Sequence, residues 1–130
     1  MERTRAIAAL LGPVLLVTGV MLLVDLARFG VILADLARSP MLLMLAGYVT
    51  FVPGVAVVYW HNRWRGGVLP VVVTGLGWLF VAAGVVRIVG AYALGDAVGG
   101  LAGGVAPWVA VVGLVMIGGG GWLSWEGWRR

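Results

Sequence analysis

The chain has 130 residues, of which 62% are hydrophobic and 11% charged, with a mean hydropathy of +1.09. That is too little charge to coat a soluble domain and too much apolar content for disorder, and the absence of cysteine excludes a disulfide scaffold. The composition is that of an integral membrane protein carrying a formal charge of +4.

Charged residues divide the chain into uncharged runs at 6–24, 39–60, 66–86 and 97–125. A helix crossing a hydrocarbon core of ~30 Å needs ~20 apolar residues. The strict alternation of barrel strands is missing, so helices are left as the way to satisfy the backbone in lipid. The runs predict an all-α fold: one domain over 1–130, a bundle of four transmembrane helices at roughly 6–27, 40–60, 68–90 and 102–124. The first run follows Arg3 and Arg5 as a signal peptide would. However, it is longer than a signal core, and Asp25-Leu26-Ala27-Arg28 offers no small-x-small cleavage site. It is expected to remain as the first span.

Between the first two spans, Asp-Leu-Ala-Arg occurs at 25–28 and again at 35–38. On a helical wheel these four charges share an arc of roughly 140°, with Leu26, Phe29, Ile32, Leu33 and Leu36 opposite. The segment 28–38 is expected to be a short amphipathic helix at the interface, with each Asp near the Arg three residues on. Ser39-Pro40 then reads as an N-cap followed by proline at the first helical position. Pro53, within the second span, predicts a kink or a hinge.

The second span closes at His61-Asn62-Arg63-Trp64. A lone histidine there is a metal or proton-shuttle candidate, but no second histidine, cysteine or nearby carboxylate completes a metal site. The alternative is an interfacial anchor that also caps the helix; if the motif has a role, the loop is where a cytoplasmic partner would dock. In the third span, Pro70, Thr74, Gly77, Val81 and Gly84 fall within roughly 80° of one another, a small-residue stripe suited to close helix packing. Arg87 lies beside the outer end of this stripe. It either faces an anionic ligand or an ion path, or it snorkels to the outer interface or pairs with Asp25 or Asp96. Gly99-xxx-Gly103 and Gly100-xxx-Gly104 offer a packing seam before the fourth span, and Gly118 to Gly121 form a whole turn without side chains. A weak echo between Pro13…Thr18-Gly19 and Pro70…Thr74-Gly75 is compatible with either a duplicated helical hairpin or chance.

Orientation follows from the arginines. Arg3, Arg5, Arg63, Arg65, Arg129 and Arg130 fall on one side, and Arg28, Arg38 and Arg87 on the other, so the positive-inside rule puts both termini in the cytoplasm. Trp60, Trp64, Trp122, Trp125 and Trp128 map to the same boundary as an aromatic belt, whereas Trp78 lies at mid-depth. The pI near 10.7 is therefore a topology signal, with no clustered basic groove to bind nucleic acid.

Catalysis has few reagents: Ser39, Ser124, four threonines, one histidine and five carboxylates, without a Ser-His-Asp set or a phosphate-binding glycine loop. The expectation is a non-enzymatic protein without cofactor or metal, a membrane subunit or scaffold in the lipid bilayer, packing through glycine faces as a homo-oligomer or with a membrane-protein partner. The alternative is a small oligomeric transporter or channel built around Asp25, Arg87 and Asp96.

His61-Asn62-x-Trp64, then Thr74-x-x-Gly77-Trp78, then Gly84 and Arg87, resemble a family of small four-span bacterial inner-membrane proteins. In that family a His-Asn-x-Trp loop precedes a Thr-x-x-Gly-Trp helix. The resemblance covers about 30 residues and implies topology and a bacterial cytoplasmic membrane, but no activity. The family pattern often has a lysine where this chain has Ala83, so no charged site carries over there. The scarcity of lysine beside abundant Ala, Gly, Val and Arg fits a GC-rich bacterial genome.

Overall fold

A computed structural model describes residues 2–101 and 106–129. The described chain is helical, with α1 at Glu2–Val24, α2 at Leu26–Ala37, α3 at Pro40–Trp60, α4 at Val68–Val89, α5 at Ala91–Leu101 and α6 at Ala106–Trp128. Four of these are long and apolar enough to cross a membrane: Arg3–Val24, Pro40–Trp60, Val68–Val89 and Pro107–Trp128. At ~1.5 Å per residue, 21 or 22 residues reach just over 30 Å. The long helices are apolar all round, as lipid requires, whereas α2 is amphipathic.

Local chemistry sets the breaks. At Asp25 the chain bends without losing its ladder, because the Asp25 N–H donates to Met21 and its carbonyl accepts from Arg28 and Phe29. Ser39 is extended (φ −122°, ψ 95°) and its Oγ accepts from Leu42 N at 3.3 Å, with Pro40 at the first helical position. The turn into α4 uses Gly66 and Gly67 at φ 105° and 119°, where a side chain would clash with the backbone. Gly90 separates α4 from α5. The last long helix differs from the sequence reading: it ends at Trp128 rather than near 124, and α5 is a helix of its own before it. The uncharged run from 97 to 125 hides that division, because nothing charged marks it.

The chain forms two compact units, 1–30 with 104–130, and 31–103. In the first unit α1 packs antiparallel against α6, and in the second α3 packs antiparallel against α4, with α5 beside both. Buried apolar residues recur at multiples of seven: Ala8, Leu15 and Leu22 on α1, and Leu43 and Val57, fourteen apart, on α3. Beside them run glycine rows at the same spacing: Gly12 and Gly19 on α1, Gly47 and Gly54 on α3, Gly77 and Gly84 on α4, and Gly113, Gly120 and Gly127 on α6. A seven-residue repeat keeps one face turned toward a partner over several turns, and small residues on it let backbones approach. The approach is close. A Cβ on Gly84 would lie 2.7 Å from Phe51 Cα, and one on Gly120 would lie 2.6 Å from Leu16 N.

Proline leaves an unsatisfied acceptor that the first unit fills. Pro13 has no N–H to give the Ala9 carbonyl four residues earlier, and the Trp128 indole donates to that oxygen at 3.4 Å. Gly127, directly against Ala9, lets α6 come near enough for the bond.

Candidate functional site

In the second unit the polar residues named from sequence separate into three places. The first is the α3–α4 turn. Thr74, fully buried on α4, accepts a hydrogen bond from Arg63 N at 3.0 Å, and its hydroxyl lies 3.0 Å from both the His61 and Arg63 carbonyl oxygens. It has one proton, so it donates to one of those carbonyls at a time. The His61 N–H in turn donates to Val57 O at 2.7 Å, closing α3. The His61 side chain is itself buried, at 2% exposure, with its ring hydrogen-bonded to the Pro70 backbone carbonyl. Burial, followed by the nearby Arg63 guanidinium, holds this imidazole below the usual histidine range, while the bond to Pro70 pulls in the opposite direction. The buried ring thus ties the end of α3 to the start of α4 at Pro70. Asn62 and Trp64 are exposed on the same turn.

The second place is the α3–α4 seam, where Gly77 rests on Val57 and Val58, and Gly84 on Phe51. Val73, Thr74, Gly77 and Gly84 are the buried residues of α4, so the small-residue stripe is spent on α3. Trp78 points away from it and is exposed. Near the end of the seam, the Arg87 Cβ lies against Gly47, and its Nη1 is buried without a hydrogen-bond partner. Among the described residues the ion pairs are Arg28–Asp25 at 3.9 Å, Arg38–Asp35 at 3.6 Å and Arg129–Glu126 at 3.2 Å. Arg87 belongs to none of them, and Asp25 has Arg28 instead.

The third place is a groove of about 500 Å³ lined by Ala34, Ala37, Arg38, Pro40, Tyr92, Gly95 and Asp96. It forms where α2 ends, α3 begins and α5 passes. Gly95 is buried and a Cβ there would meet the Ala37 carbonyl at 2.7 Å, so glycine is what lets α5 lie this close. Sequence reading singles out Asp96 here but not Arg38 or Tyr92, because their elements meet only in three dimensions. Gly99 and Gly100 belong to α5, while Gly103 and Gly104 lie outside the described residues. Among the described residues no three His, Cys, Asp or Glu side chains gather as a metal site would require.

The heptad glycines were legible in principle, since a spacing of seven can be counted. The Trp128–Ala9 bond has a weaker signal, the i−4 relation to Pro13. Comparison with protein-family models, curated proteins and solved structures returns no match.

Proposed function

We propose that this chain is a small, non-enzymatic subunit or scaffold of a bacterial cytoplasmic membrane, with both termini in the cytoplasm, that associates laterally with itself or with another membrane protein. The observation that carries the reading is on α6. Gly113, Gly120 and Gly127 each meet the neighbouring helix, whereas the Cβ positions of Gly118 and Gly119 meet open space. Two consecutive exposed residues without side chains have no task inside the chain. They leave a smooth notch, edged by Val115 and Trp122, of the kind that lets a second helix approach closely. Orientation is supported by the six-to-three division of arginines, and the bacterial setting by the His-Asn-x-Trp resemblance.

The chain has no cysteine, so Gly118→Cys gives a single reporter. In native membranes that variant is expected to crosslink to a second copy or to one defined partner, and the wild type to leave mild detergent as a complex of matching mass. A strictly monomeric protein that crosslinks to nothing overturns the proposal.

One observation favours a second reading, a small oligomeric transporter or channel. The buried, unpartnered Nη1 of Arg87 is a cation in want of an anion, and such groups line ion paths. Reconstituted protein would then support a flux that falls with Arg87→Ala and Asp25→Asn. A flux unchanged by both removes these residues from the path.

A further inference from the structure

The groove between α2, α3 and α5 carries opposite charges on opposite walls. Arg38 and Pro40 stand on one wall, at the start of the 21-residue helix α3, whose N-terminus adds a partial positive charge. Asp96 and Tyr92 stand on the other wall, on α5. Arg38 and Asp96 do not close on each other, as they are outside ion-pair distance. Arg38 has an ion-pair contact with Asp35 at 3.6 Å, but both side chains are largely exposed and such pairs hold weakly. The remaining lining (Ala34, Ala37, Gly95) is small, so space lies between the charged walls.

Depth narrows what can fill it. Pro40 is the first residue of one span, and α5 begins two residues after another span ends at Val89. The groove therefore lies where hydrocarbon gives way to lipid headgroups, a level at which tyrosines such as the exposed Tyr92 are common. An anionic ligand would meet Asp96, a cationic one would meet Arg38, and an uncharged one would leave Asp96 unanswered and Arg38 with only its exposed neighbour Asp35. A ligand bearing both charges answers both.

We propose that this groove binds a zwitterionic phosphate–ammonium group, with the phosphate toward Arg38 and α3 and the ammonium toward Asp96 and Tyr92. The inference rests on the four long helices being membrane spans and is independent of the subunit or transport role. The chemistry is that of a phosphatidylethanolamine headgroup or of a free solute built alike. The volume of about 500 Å³ is in the range of ~300–1,000 Å³ usual for small-ligand sites.

The test uses the full chain, purified from an equimolar mixture of phosphatidylethanolamine and phosphatidylglycerol, with retained lipid read by native mass spectrometry. The wild type is expected to hold the zwitterionic lipid about tenfold over the anionic one, the worth of one charge-assisted contact. Asp96→Asn should erase that preference while still retaining phosphatidylglycerol, and Arg38→Gln should lower retention of both. Arg28→Gln, outside the groove, should change neither. Helical content and unfolding midpoints equal to those of the wild type exclude misfolding of either single variant. Equal retention of the two lipids by the wild type, or an unchanged preference in Asp96→Asn, overturns the proposal. Displacement by excess soluble glycerophosphoethanolamine assigns the groove to a free zwitterion, and resistance to displacement assigns it to the lipid.

Discussion

The hydroxyl of Thr74 lies 3.0 Å from the His61 carbonyl oxygen, so one α4 side chain holds the end of α3. Thr74 also accepts from Arg63 N, and the turn between the helices is thereby fastened at two residues. Thr74→Val keeps the shape and removes the hydroxyl, leaving buried backbone groups without their partner. A loss of about 1–3 kcal/mol is expected, read as easier unfolding in denaturing detergent, with faster hydrogen exchange at Arg63. Thr74→Ser should retain most of the effect.

His61 gives the turn a pH dependence. Its ring is held below the usual value of about 6.5, so the unfolded state binds the proton more readily than the folded one. Stability is therefore full above about pH 6.5 and falls as pH drops from there toward the folded value, below which it levels. Unfolding measured between pH 8 and pH 5 should show this slope, and His61→Gln should flatten it.

Gly84 and Gly75 lie on the same helix with opposite surroundings. A Cβ on Gly84 would press on the Phe51 backbone, whereas one on Gly75 meets nothing within 4 Å. Gly84→Ala should cost about 1–3 kcal/mol by forcing α3 and α4 apart, while Gly75→Ala should be neutral or slightly stabilising. A matched pair of unfolding curves decides it, and equal effects would remove the seam as the cause.

Pro13 and Trp128 should be coupled. Trp128→Phe removes the indole donor to Ala9 and is expected to cost about 0.5–1.5 kcal/mol. In a Pro13→Ala background residue 13 regains an N–H for that carbonyl, so the same change should cost less. A double-mutant cycle reads the difference directly.

Orientation can be read with introduced thiols. Asn62→Cys, on the α3–α4 turn, is expected to react with a membrane-impermeant reagent from the cytoplasmic side, and Asp35→Cys, on α2, from the opposite side. The reverse pattern would invert the topology drawn from the arginines.

The four spans were legible because their apolar length and charged borders are local properties, and so were the Ser39 cap and the two i,i+3 ion pairs. Which span meets which was not. Hydropathy is nearly uniform along these helices, and the information sits instead in glycine spacing, which reports a seam without naming its partner. The packing stripe of Thr74, Gly77 and Gly84 could be read from α4 alone, but not that it meets α3, nor that Thr74 would reach back to the His61 carbonyl. The groove was least legible, since Arg38, Tyr92 and Asp96 share a site only after α5 has folded beside the end of α2.

The pairing of α1 with α6 sets an order of assembly. During synthesis α1 precedes α2 to α5, yet the helix that covers Gly12 and Gly19 is α6, made after all of them. The second unit, whose paired helices are joined by a short turn, has both its long helices before α6 is made. A chain interrupted before α6 therefore lacks the helix that covers the small residues of α1.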